Sequence, residues 1–212
     1  MAPYTDRGKA YFEALFHFFS WSILAPRSVV LEIGCGEGNL IRDFAVRNHN
    51  CTCTNNPAYG VHNWRISQVA TNFGVPTAVG ANKTVRVLNV DYTHGLPFPN
   101  RTFDFVVSMH AFNEGKLRNP NQLGFVLTEV ERVMKDNAHA AIHLFEESPF
   151  NAHSGLLQMM HTKAGRVALV WGSHGPKPGQ VTMQIVPRVH HEWSRARQYA
   201  QKYWSSLTAY GV

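Results

Sequence analysis

The stretch VVLEIGCGEGNLIRDFA, residues 29–45, constrains this chain more than any other. An apolar run meets glycines at Gly34, Gly36 and Gly38 and passes straight into a segment with helical periodicity. Glycine admits backbone conformations closed to other residues and lets a ligand come close to the main chain. A strand that turns through such a loop into a helix leaves amide hydrogens and the positive helix end at the carboxyl edge of the sheet, where open α/β sheets bind ligands. The spacing then separates ligand classes. A dinucleotide loop reads G-x-G-x-x-G, and a P-loop ends in Gly-Lys-Ser/Thr; Gly34-Cys35-Gly36-Glu37-Gly38 is neither.

Beyond the loop, periodicity alternates between strand and helix. It predicts a helix over 7–24, with Phe12, Leu15, Phe16, Phe19 and Ile23 on one stripe and Pro26 ending it. A strand over 28–33, a helix over 39–47, a strand over 51–54 and a helix over 59–73 follow. The next strand, 84–91, runs into YTHGLPFPNRT, whose prolines and glycine forbid regular structure. Strand 103–110, helix 121–135 and strand 138–147 complete the repeated βα units, which argue for a parallel sheet covered by helices on both faces. The rest predicts a helix over 154–164, strands over 166–172 and 180–187 paired antiparallel at the sheet edge, and a helix over 192–207.

Composition narrows the setting. With 212 residues and 44% hydrophobic content the chain has material for one buried core, and a single domain is expected over 1–212. The first residues lack the pattern of a secretory signal. The longest apolar segment carries Glu13, His17 and two serines, which argues against a membrane span. Three cysteines, Cys35, Cys51 and Cys53, are too few and too odd in number for a disulfide framework, so a reducing, cytoplasmic setting is expected. Twelve histidines are scattered, and His139 and His143, on one face of a strand, stand about 13 Å apart at roughly 3.3 Å per residue, so no metal site is expected. Residues 1–150 hold 13 basic and 13 acidic side chains, and 151–212 hold seven basic and only Glu192, which together give the net +6. Without a Lys/Arg run, that excess reads as solvated surface rather than a nucleic-acid footprint.

LEIGCGEGN resembles the first motif of the class I methyltransferases that use S-adenosylmethionine, in which an acidic residue, here Glu32, precedes the glycine loop. LNVDYTHGLPFPNRTFDFVVS is similar to the family's segment between its third and fourth strands. LTEVERVMKDNAHAAIHLFEE is similar to its following helix and strand, with Asp136, Asn137 and Ala138 where the family usually has Pro-Gly-Gly. The resemblance extends from Val29 to about Glu147. It implies an α/β, Rossmann-like three-layer sandwich, whose mostly parallel sheet has seven strands on the periodicity above, with an antiparallel edge hairpin. It further implies a core over 27–150, an N-terminal helical lid over 1–26, and acceptor-side and C-terminal elements over 151–212.

The same resemblance implies S-adenosylmethionine as cofactor and S-adenosylhomocysteine as product. Glu32, Gly34, Cys35, Gly36 and Gly38 would surround the methionine part, Asp91 and the backbone at Tyr92 would lie at the adenine amine, and Ser108 and Met109 would line the floor near the sulfonium. At the end of the second strand, where the family carries Asp or Glu for the ribose hydroxyls, stand Asn55 and Asn56. An amide accepts one such bond but forgoes the stronger charged acceptor. The TNN run with Tyr59 is similar to the sterol C-methyltransferase group, at one residue longer spacing.

Methyl transfer from a sulfonium is an in-line displacement that asks chiefly for alignment. By sequence position His110 is the candidate base, with Glu114 to orient it. If an alkene carbon were the acceptor, aromatic faces would steady the cation, and Tyr11, Phe18 and Trp21 lie off the first helix's packing stripe. Met159 and Trp171 would form an apolar acceptor wall by fold analogy. The leading expectation is an enzyme that methylates a small, partly apolar molecule at a compact or homodimer-assisted site. Two alternatives stand beside it: a catalytically inactive partner subunit, and an RNA or protein methyltransferase using the basic C-terminal part.

Overall fold

The computed structural model describes residues 24–36, 38–47, 49–55, 76–80, 83–109, 111–113, 120–144, 157–162, 166–172 and 181–186. Nine strands form one sheet: β1 Val29–Ile33, β2 Asn50–Asn55, β3 Pro76–Gly80, β4 Lys83–Asn89, β5 Phe103–Met109, β6 Met134–Leu144, β7 Leu157–His161, β8 Val167–Gly172 and β9 Val181–Val186. Their order is β3-β4-β2-β1-β5-β6-β9-β8-β7. β4, β2, β1, β5 and β6 run parallel; β3, β9, β8 and β7 join by antiparallel pairings. The chain leaves β1 toward β2 and β4 and returns to β5 on the other side. The topological switch point therefore lies between β1 and β5.

Two helices are described, α1 Asn39–Val46 and α2 Pro120–Val133. α1 buries Leu40, Ile41, Phe44 and Ala45, and Phe44 packs on Phe105 at 5.5 Å between ring centroids. α2 buries Leu123, Val126, Val130 and Val133 in a cluster with Leu31, Ile33, Val106, Ala140 and Ile142. Each large side chain so removed from water contributes roughly 1.5–3 kcal/mol. Among the described residues no helix is long and apolar enough to cross a membrane.

Three sequence expectations need correction. Among the described residues the sheet has nine strands, not seven, because residues 76–80 and 157–161 both pair at its edges. The first is a five-residue edge strand beginning with proline, where a missing amide donor is tolerated. The second falls in the segment expected to be helical; Leu157, Met159 and Met160 suit either period, and antiparallel pairing with β8 from Leu157↔Trp171 to His161↔Val167 decides it. In consequence the β8–β9 hairpin lies inside the sheet rather than at its edge.

The third concerns Asp136, Asn137 and Ala138, which occupy the slot of the family's Pro-Gly-Gly turn. β6 already begins at Met134, and its pairing with β5 steps from Phe103↔Met134 to Phe105↔His139, two residues against five. The surplus forms an irregular bulge around the buried Arg166 guanidinium. Its Nη1 donates to the carbonyls of Asp136 (3.0 Å) and Ala138 (3.2 Å), and its Nη2 to those of Lys135 (2.5 Å) and Met134 (3.5 Å). An arginine fork from the β8 side thus satisfies these carbonyls. The helices expected over 7–24, 59–73 and 192–207, and with the first the lid apart from residues 24–26, lie outside the described residues.

Candidate functional site

The carboxyl ends of β4, β2, β1 and β5 bring together most of the residues singled out in the sequence. Between β1 and α1 the chain turns through Gly34 (φ 69°), Gly36 (φ 49°) and Gly38 (φ 73°), all left-handed. Gly34 faces inward. A Cβ placed on it would stand 2.2 Å from Ala111 Cβ, so the loop rests directly on the segment after β5 at the switch point. Gly36 is the opposite case, since a Cβ there would meet nothing within 4 Å among the described residues. The loop is therefore packed at its first glycine and open at its second.

Two amides of the loop are already committed. Gly34 N and Cys35 N both donate to Thr54 O at 3.0 Å, and Gly34 N also lies 3.3 Å from Thr54 Oγ1. Sequence reasoning passed over Thr54; its fully buried position at the end of β2, beside the loop, is visible only once β1 and β2 are paired. Cys35 is buried beneath the loop and is joined to Cys53 in a disulfide, with 5.9 Å between Cα atoms. This corrects the all-reduced expectation: two of the three cysteines pair, and Cys51 remains a buried thiol.

Glu32 is 2% exposed, and its Oε2 makes no hydrogen bond among the described residues. Burial pushes its carboxyl up to about 8; the Ile41 backbone amide opposes that rise, and Asp43 adds to it. The neighbouring Cys51 thiol is held up at about 12 by burial and by Glu32. Between Glu32's unfolded value near 4.5 and its folded value near 8, the folded chain keeps a proton that the unfolded chain has released. The group's contribution is thus fully present below pH 4.5 and is lost as pH rises through about 8. Wild-type stability is expected to fall across this window, by up to about 1.4 kcal/mol per pH unit from this residue. Glu32→Gln is expected to flatten the fall, as read by urea unfolding at several pH values; parallel wild-type and variant profiles would remove the assignment.

Asn55 ends β2 with 9% exposure, and its Nδ2 likewise has no hydrogen-bond partner among the described residues. Asp91 follows β4, and its carboxylate caps a short 3-10 turn over Tyr92–His94. Oδ1 accepts from Thr93 N (3.0 Å) and Thr93 Oγ1 (2.5 Å), and Oδ2 lies 3.3 Å from His94 Nδ1. Tyr92 is buried, with its hydroxyl donating to Ala111 O and its ring 5.3 Å from Phe112. Ser108 is fully buried and donates to Ile33 O at 3.1 Å. Met109 is buried at the end of β5. Tyr92 and Ser108 thus brace β4, β5 and β1 against one another.

Met109 starts a cross-strand row that passes through His143 and Thr182 to Trp171. Trp171 therefore stands at the same edge as Met109, three strands away or roughly 14 Å at sheet spacing. Met159 pairs with Leu169, two residues further into the sheet. His143 is wholly buried at the end of β6 beside the expected floor, a placement the sequence reading did not connect to the site. Among the described residues no group of three or more His, Cys, Asp and Glu is arranged to hold a metal ion. His110, Glu114, Asn56, Tyr11, Phe18 and Trp21 lie outside the described residues.

Chemically, the edge offers an open glycine at the switch point, together with a buried carboxyl whose pKa burial raises and a buried amide, each with one polar atom that has no partner among the described residues. That suits a polar ligand carrying both hydrogen-bonding groups and an apolar part. A family described as methyltransferase domain matches residues 31–142, just over half of the chain. No curated protein matches the chain. Among solved structures, the PH0226 protein of Pyrococcus horikoshii aligns over 88% of this chain and 96% of its own at 16% identity, with a TM-score of 0.54. A Galdieria sulphuraria structure (21% identity, 57% of this chain, TM-score 0.43) and the YcgJ protein of Bacillus subtilis (21%, 58%, 0.43) also align. The chain spans less than half of their lengths, 41% and 47%.

Proposed function

Because the chain belongs to the class I S-adenosylmethionine-dependent methyltransferases, we propose that it transfers a methyl group from that cofactor to a small, partly apolar molecule. The observation that carries this reading is the contrast within the glycine loop. Gly34 is packed against Ala111, whereas among the described residues a Cβ on Gly36 meets nothing within 4 Å, and at the same sheet edge Glu32 Oε2 and Asn55 Nδ2 are buried without a hydrogen-bond partner among those residues. Those residues fit the cofactor's methionine and ribose parts.

The cofactor supplies an electrophilic methyl on a sulfonium; what the protein supplies is position. Gly36 would let the main chain approach, Glu32 would hydrogen-bond the amino-acid end, and Asn55 would make one hydrogen bond to the ribose. Asp91 and the Tyr92 backbone would flank the adenine, although the cap on Thr93 already uses one carboxylate oxygen. His110, between Met109 at the end of β5 and Ala111, would take the acceptor's proton, with Glu114 orienting it. Tyr11, Phe18 and Trp21 would cover the site, and Met159 and Trp171 would wall the acceptor side. The acceptor's identity and a homodimer belong to this proposal as well.

A second reading, a partner subunit without catalysis, draws on Asn55 in place of the ribose carboxylate and on the engaged Asp91. Calorimetric titration with S-adenosylhomocysteine separates the two. One saturable site per chain is expected; no heat at millimolar ligand would discard the enzyme reading.

A further inference from the structure

We propose that the Cys35–Cys53 pair is a reversible redox latch that fixes the glycine loop in its ligand-receiving shape, so that oxidation strengthens cofactor binding. The inference rests on the cofactor assignment above and adds a regulatory device to it. Cys35 is the second residue of the loop, and Cys53 lies in β2 directly beside Glu32, 18 positions further along the chain. The two Cα atoms are 5.9 Å apart, within the span a disulfide bridges.

The bond runs where the backbone already ties the loop down. Gly34 N and Cys35 N converge on Thr54 O, the residue between Cys53 and Asn55. Cys53 is 1% and Cys35 6% exposed, so the sulfurs lie beneath the loop and leave the open side of Gly36 untouched. A covalent tie there removes loop conformations that do not receive ligand, and that ordering then need not occur on binding. When the tie opens, the hydrogen bonds from Gly34 N and Cys35 N to Thr54 still hold the loop to β2.

The chemistry balances as thiol–disulfide exchange. A thiolate of a small dithiol attacks Cys35 Sγ, the more exposed sulfur; the S–S bond breaks and Cys53 leaves as a thiolate that takes a proton. The reductant's second thiol resolves the mixed disulfide, which frees Cys35 as a thiol and leaves the reductant oxidised to its cyclic disulfide. In the other direction a small-molecule disulfide, such as oxidised glutathione, accepts the two electrons and both protons and departs as two thiols. Cys51, buried elsewhere on β2, takes no part.

The test uses the whole chain equilibrated with either dithiothreitol or oxidised glutathione. Thiols are counted after unfolding, melting is followed by circular dichroism, and S-adenosylhomocysteine binding is measured by calorimetry. Expected are three reactive thiols in the reduced protein and one in the oxidised, with a Tm higher by roughly 6–12 °C when oxidised. Binding should be several-fold tighter in the oxidised protein. Cys53→Ser should bind with the weaker affinity under both conditions, and Cys51→Ser should keep the full response. Three reactive thiols after oxidation, or equal affinity in both states, would overturn the latch and leave the cofactor assignment standing. Absence of binding in either state would overturn both.

Discussion

Gly36→Leu is expected to abolish S-adenosylhomocysteine binding, by at least about 100-fold or roughly 3 kcal/mol, while the protein stays folded. The reason lies in what surrounds the residue. Among the described residues a Cβ at Gly36 meets nothing within 4 Å, so the new side chain is expected to extend into the crevice rather than into the packed part of the loop. The fold bears only the strain of a non-glycine residue at φ 49°, about 1–2 kcal/mol, which lowers Tm by roughly 2–8 °C. Calorimetry and thermal melts on the same preparation check both halves. Binding as tight as wild type would mean the cofactor lies somewhere other than against this loop.

Gly34→Ala is expected to do the reverse, damaging the fold first. Its Cβ would stand 2.2 Å from Ala111 Cβ, an atom fixed to its backbone that no rotamer change moves away. Either the loop or the chain after β5 must shift, and overpacking of this kind costs about 1–3 kcal/mol. Left-handed strain at φ 69° adds about 1–2 kcal/mol, so a total of about 2–5 kcal/mol is expected, a large part of a typical domain's stability. Urea unfolding measures it. Pairing the change with Ala111→Gly should restore the steric part and leave the strain, a coupling that a double-mutant cycle isolates. A Gly34→Ala protein with unchanged stability would contradict the contact between the loop and the switch point.

Much of the site was legible because its signals are local. Glu32 and the three glycines declare a βα turn within ten residues, and the apolar strands around it admit only a parallel core. The place of Asn55 at the end of β2 was legible, since the strand pattern of CTCT carries straight into it. Asp91 was legible as a position but not as a state. That its carboxylate turns back onto Thr93 and His94 depends on the turn that follows β4. His110 and Glu114 were chosen by their distance along the chain from β5, and their geometry lies outside the described residues.

From its own order of residues the chain determined the alternation of strand and helix, the glycine loop and the side of the sheet on which a ligand would sit, because periodicity and turn chemistry act over a few residues. Tertiary structure alone decided the strand at Leu157–His161, the bulge closed around Arg166, the burial that raises the Glu32 pKa and the meeting of Cys35 with Cys53. Each of these depends on which atoms distant parts of the chain bring into contact. Burial, register and sulfur-to-sulfur reach are properties of neighbours in space, and a linear sequence does not state them.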